Sequence, residues 1–105
     1  MDKIPDYIIN CIKKLIDKLE ENNFAIDKAI LFGSYAKGTY DKFSDIDLAL
    51  VSKSFSGNRF IDKERIRKFV FSVNSDISPL PYHPEDFNEE DYFVRDIIRN
   101  GITIV

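Results

Sequence analysis

The sequence predicts a mixed α/β (α+β) domain: a small mixed β-sheet flanked by helices. Three observations predict it. Apolar residues recur every three or four positions near the start of the chain, which makes one helical stripe. Two short apolar runs, "AILF" and "DIDLALV", stand too close together for a parallel crossover. A helix-length stretch then separates the second run from "ISPLPY", and that distance suits a right-handed crossover between parallel strands.

The opening segment, "DKIPDYIINCIKKLIDKLEENN", carries its stripe on Ile4, Ile8, Ile12, Leu15, Ile16 and Leu19. Pro5 suits a first helical turn, and Asn22–Asn23 can end the helix. Cys11 flanks the stripe and reads as a packing thiol. The next segment, "AIDKAILF", ends in a buried strand over Ala29–Phe32. Gly33-Ser34 breaks it, and "SYAKG" forms a short helix closed by Gly38. In "SDIDLALVS" period-two alternation puts Ile46, Leu48 and Leu50 on one face, with Asp45, Asp47, Ala49 and Val51 on the other.

Residues 52 to 58 read as loop. A helix over about 59–73 gathers Ile66, Phe69, Val70 and Val73; Lys63, Arg65, Arg67 and Lys68 read as a solvated face, with a binding patch as the alternative. "SDISPLPY" is a third strand, and Pro79 and Pro81 assign it to a sheet edge. "NEEDYFVRDIIRNG" is an acidic-start helix expected to turn Phe93, Ile97 and Ile98 inward, and "ITIV" closes as a short strand.

Composition bounds the function classes. A chain of 105 residues is expected to form a single domain, 1–105, with 44% apolar and 31% charged residues, as in ordinary soluble domains. Net charge is −3, so no basic footprint for stand-alone nucleic-acid binding is present. No apolar run reaches the ~18 residues of a membrane span, and no signal-peptide pattern opens the chain. One cysteine excludes an internal disulfide and fits a reducing, cytoplasmic compartment.

The chemistry concentrates in "LFGSYAKGTYDKFSDIDLAL", residues 31 to 50. Ten residues separate Ser34 from Asp45, which favours antiparallel neighbours and brings Gly33-Ser34 beside Asp45 and Asp47. A parallel third strand then sets Asp76 near the same end. Asp45 and Asp47 project from one face, roughly 6.5 Å apart along the strand. Two unit charges about 5 Å apart repel by about 3 kcal/mol at an effective dielectric of about 20. Such a cluster is favourable only when protonated or bridged by a cation. Magnesium takes carboxylate oxygens, keeps waters and accepts phosphates as further ligands. Gly33 permits close backbone approach and Ser34 offers a hydroxyl, which together suit an anion. The pattern therefore predicts a divalent-metal and polyphosphate site.

"GSYAKGTYDKFSDIDL" resembles the Gly-Ser, ten residues, Asp-x-Asp signature of minimal nucleotidyltransferases in the DNA polymerase beta-like superfamily, and the resemblance extends over nearly the whole chain. It implies a polymerase beta palm-like nucleotidyltransferase fold and transfer of AMP from ATP to an acceptor. It also implies two Mg²⁺ ions held by Asp45, Asp47 and Asp76, with these three as the catalytic carboxylates. Gly33, Ser34 and Lys37 would bind the phosphates; Lys37 stands where arginine is commoner, keeping charge without the planar fork. Small size makes the chain similar to the antitoxin halves of HEPN/MNT (type VII) toxin–antitoxin pairs, in which a tyrosine of the HEPN toxin is adenylylated within a hetero-oligomer. The first helix or "PYHPEDFNEEDYF" would be the docking face. Two alternatives stand beside this: transfer to a small hydroxylated molecule or an RNA end, and an antitoxin that neutralises its partner sterically.

Overall fold

In the computed structural model, which describes residues 4–105, the elements follow in the order α1 (Asp6–Glu21), β1 (Lys28–Phe32), α2 (Ser34–Lys37), β2 (Ile46–Val51), α3 (Arg59–Val73), β3 (Ile77–Tyr82), α4 (Tyr92–Asn100) and β4 (Ile102–Thr103), with one 3-10 turn at Pro84–Asp86. Asp2 and Lys3, included in the expected first helix, lie outside the described residues. The strands form one mixed sheet in the order β3-β2-β1-β4. β1 and β2 are antiparallel, with Phe32 opposite Asp47, and β2 and β3 are parallel, with Ile46 opposite Ile77.

The α1 stripe is buried as its spacing predicts: Ile8, Ile12, Leu15, Ile16 and Leu19 face the core, and Ile4 joins them. Pro5 sits one position earlier than expected, at the N-cap in an extended conformation. A fixed φ and a missing N–H cost nothing there. Ile46, Leu48 and Leu50 pack with this stripe and with Ile66 and Val70 of α3. On the opposite face Ile30, Ala49 and Val51 meet α4.

α4 departs from expectation. Val94 and Ile97 are its buried residues, whereas Phe93 is 53% exposed and Ile98 39% exposed. Its sheet face is narrow, so a nine-residue helix lays down a single i, i+3 stripe. Phe93 instead meets Phe32 edge-on at 5.8 Å. Asp91 caps the helix by accepting from the N–H groups of Phe93 and Val94, which fixes the register of that stripe.

β3 is an edge strand, as its prolines require. The ladder with β2 runs through Ile46 N–H to the Asp76 carbonyl and Ser52 N–H to the Tyr82 carbonyl. Even-numbered residues of β3 thus face β2, and Pro79 and Pro81 turn their donor-less nitrogens to the open edge.

One buried charge ties the sheet to α3. Asp62 is fully buried in the first turn of α3. Its carboxylate accepts from Ser56 N–H at 2.9 Å, Gly57 N–H at 3.1 Å and the Ser56 hydroxyl at 3.0 Å. Arg65 donates to it at 3.2 Å, and to the Ser54 carbonyl at 2.8 Å. The loop after β2 is therefore folded around a carboxylate, through charge-assisted bonds to backbone donors.

Candidate functional site

The end of β1 and the start of β2 meet at the site. Gly33 leaves β1 with φ 71° and ψ −145°, a backbone conformation that favours glycine, and serves as the N-cap position of α2. Gly38 closes α2 in the left-handed region at φ 76°. A Cβ added at Gly33 would collide with Asp47 Oδ2 and reach its Cγ at 3.1 Å. The Asp47 carboxylate thus lies directly against the Gly-Ser turn. Gly33→Ala should displace that carboxylate and strain the turn. Expected are loss of nucleotide binding in calorimetry and a stability loss of about 1–2 kcal/mol.

Asp47 is partly buried, and its carboxyl is pushed above the ordinary aspartate value by burial first and by the Asp45 charge second. The second cause acts because Asp45 stands one step before β2 and two residues from Asp47, the spacing that puts side chains on one face. Asp76 stands one step before β3, and its carbonyl accepts from Ile46 N–H at 2.9 Å. Its own N–H donates to the Asn74 side chain at 2.8 Å, which pins the turn leading into the strand. Parallel register then sets Asp76 beside Asp45. The Asp45 charge in turn acts on the Asp47 carboxyl.

Among the described residues, no group of three or more His, Cys, Asp or Glu side chains is gathered tightly enough to hold a metal ion. A magnesium ion needs only one or two carboxylates when water and phosphate oxygens complete its shell. The donor chemistry of Asp45 and Asp47, a charge-repelling pair with one partly desolvated member, fits such an ion. Ser34 opens α2 and Lys37 ends it, exposed, one turn later.

Tyr35, to which the sequence motif assigns no part, forms the floor of α2. It is buried, stacks on Tyr40 at 4.4 Å, and its phenol is pushed up by burial, then by a hydrogen bond with Tyr7, and further by the charges of Tyr7, Tyr40 and Asp76. The aromatic pair braces the loop between the Gly-Ser turn and β2; the tyrosines at 35 and 40, five apart across a glycine, were its only sign in the sequence.

A cleft of about 380 Å³ opens beside the carboxylates. Asp45, Asp76 and the start of β3 form one wall, and Lys63, Glu64, Arg67 and Phe71 of α3 form the other. Residues that read from sequence as a solvated helix face therefore border the site.

Comparison with known proteins identifies relatives of the chain. Two proteins of Methanocaldococcus jannaschii, each named "Putative protein adenylyltransferase", are similar in sequence. MJ1305 is 36% identical over 64 residues, 56% of this chain and 43% of its own length; MJ0141 is 37% identical over 79 residues, 71% of this chain and 76% of its own. The chain thus spans less than half of the first relative and about three-quarters of the second.

Among solved structures, a toxin–antitoxin crystal structure with AMP-PNP matches with TM-score 0.65 at 24% identity, covering 92% of this chain and 72% of that one. A mutant of the toxin–antitoxin MntA-HpeT matches with TM-score 0.62 at 21% identity over the same shares. At these identities the likeness is one of fold. The family described as "Nucleotidyltransferase domain" matches residues 12–104, and the chain belongs to it.

Proposed function

We propose that the protein transfers AMP from ATP to a hydroxyl of a protein acceptor, as the antitoxin of a HEPN-type toxin in a cytoplasmic hetero-oligomer. One observation carries the reading: the Asp47 carboxylate is packed on the Gly33 turn, within reach of the Asp45 charge. The names of the two relatives and the nucleotide in the toxin–antitoxin neighbour support the same reaction and partner class. The single domain would work with surface supplied by its partner.

Ser34 and the amides of the Gly33 turn bind the β- and γ-phosphates, and Lys37 offsets their charge. Asp45 and Asp47 would hold Mg²⁺, with Asp76 contributing to a second ion. Bound magnesium supplies charge neutralisation of the transferring phosphate and of the leaving oxygen. The acceptor oxygen attacks the α-phosphorus, an O–P bond forms, the α–β bridge breaks and pyrophosphate departs. Asp76 takes the acceptor proton.

Incubation with the toxin, ATP and Mg²⁺ should add the mass of AMP to the toxin in intact-mass analysis, and chelation should prevent it. An unmodified toxin that is nevertheless silenced by complex formation would overturn transfer as the mechanism.

A further inference from the structure

The geometry points to the cleft between α3 and β3 as the acceptor channel, built for a hydroxyl-bearing segment of a partner protein flanked by acidic side chains. This rests on the transfer reading and locates its second substrate. Asp47 faces the Gly33 turn, on the β1 side of the carboxylates, whereas Asp45 and Asp76 line the cleft on the β3 side. Phosphates at the turn and an acceptor in the cleft would then reach the α-phosphorus from opposite sides, as in-line displacement demands.

The walls are polarised. The sheet wall is anionic through Asp45 and Asp76. The α3 wall carries Lys63 and Arg67 with a single counter-charge, Glu64. Arg67 donates to Glu64 at 3.4 Å, but both side chains are more than half exposed. A pair of that kind is worth little and exchanges readily for another carboxylate. The Arg67 guanidinium also lies over the Phe71 ring at 5.3 Å. Phe71 is 55% exposed, an apolar shelf beside the cations. An acidic residue near the acceptor hydroxyl would meet Lys63 and Arg67, while a basic one would displace them and be drawn to the catalytic carboxylates instead.

The test uses the full chain with Mg-ATP and two synthetic peptides, one with its hydroxyl residues flanked by aspartates and one with the same residues flanked by lysines. AMP incorporation is read by mass, and Mg-ATP affinity is measured separately by calorimetry. The acidic peptide should be labelled faster by about tenfold, the scale expected when two exposed charge contacts change sign. Raised salt should shrink the preference. The double variant Lys63→Glu, Arg67→Glu should invert it. Equal labelling of both peptides, an uninverted preference in the variant, or Mg-ATP binding without labelling of either peptide overturns the channel assignment and leaves nucleotide binding standing. Failure of the wild-type chain to bind Mg-ATP sinks the transfer reading itself.

Discussion

Replacing Asp45 and Asp47 together by asparagine should lower AMP transfer by about a thousandfold or more while the chain stays folded. On the transfer reading the two carboxylates serve chemistry at the expense of stability, and the cost shows in Asp47. Its carboxyl is raised above its ordinary 3.8 by burial and by Asp45, so the folded chain holds that proton more tightly than the unfolded chain does. The resulting stabilisation is complete below the ordinary value and disappears as pH rises through the raised folded value. An amide at this position cannot ionise and escapes that loss. Asp47→Asn should therefore melt higher than the parent at neutral pH, with the difference closing as pH falls below the ordinary value. Mg-ATP should raise the melting temperature of the parent and leave that of the double variant unmoved. A single variant that melts lower at neutral pH and recovers on acidification would mean that Asp47 is a structural ion rather than a strained ligand.

The opposite behaviour is expected of Asp62. Asp62→Ala should destabilise the chain by about 3 kcal/mol, because bonds to a charged group are worth about 1.5–3 kcal/mol each and their donors remain. Ser56 and Gly57 would keep N–H groups aimed at an empty position, and Arg65 would lose its buried partner. Asp62→Asn should fall between, since its amide offers one acceptor oxygen and turns a donor toward a donor. Urea unfolding reads the change as a lower midpoint at constant slope. A midpoint shift within the scatter expected for surface substitutions would show that water replaces the carboxylate at little cost.

The contrast between these aspartates explains what could be read from the letters alone. Asp45 and Asp47 were conspicuous because they interrupt an apolar strand at a fixed distance from Gly33-Ser34. Period-two alternation and the ten-residue link then sufficed to bring Asp47 to the turn. The α1 stripe, the antiparallel β1–β2 pair, the parallel β2–β3 pair and the edge position of β3 followed from periodicity, link length and proline chemistry. Asp62 was silent. Two of its partners are backbone amides, which leave no signature in side-chain identity, and an acid in a first helical turn ordinarily faces water. Phe93 and Ile98 misled because hydrophobicity does not reveal how wide a face the sheet offers α4. The cleft was invisible for a similar reason: Lys63 and Arg67 look solvated on α3 by itself, and only the crossover to β3 turns them toward Asp45 and Asp76.

Pro79 and Pro81 carry a last consequence. With two imino nitrogens along its free border, β3 cannot zip onto an incoming strand. On the transfer reading, an acceptor segment along this border would find carbonyls but no proline N–H, and so no full main-chain ladder to slow its departure.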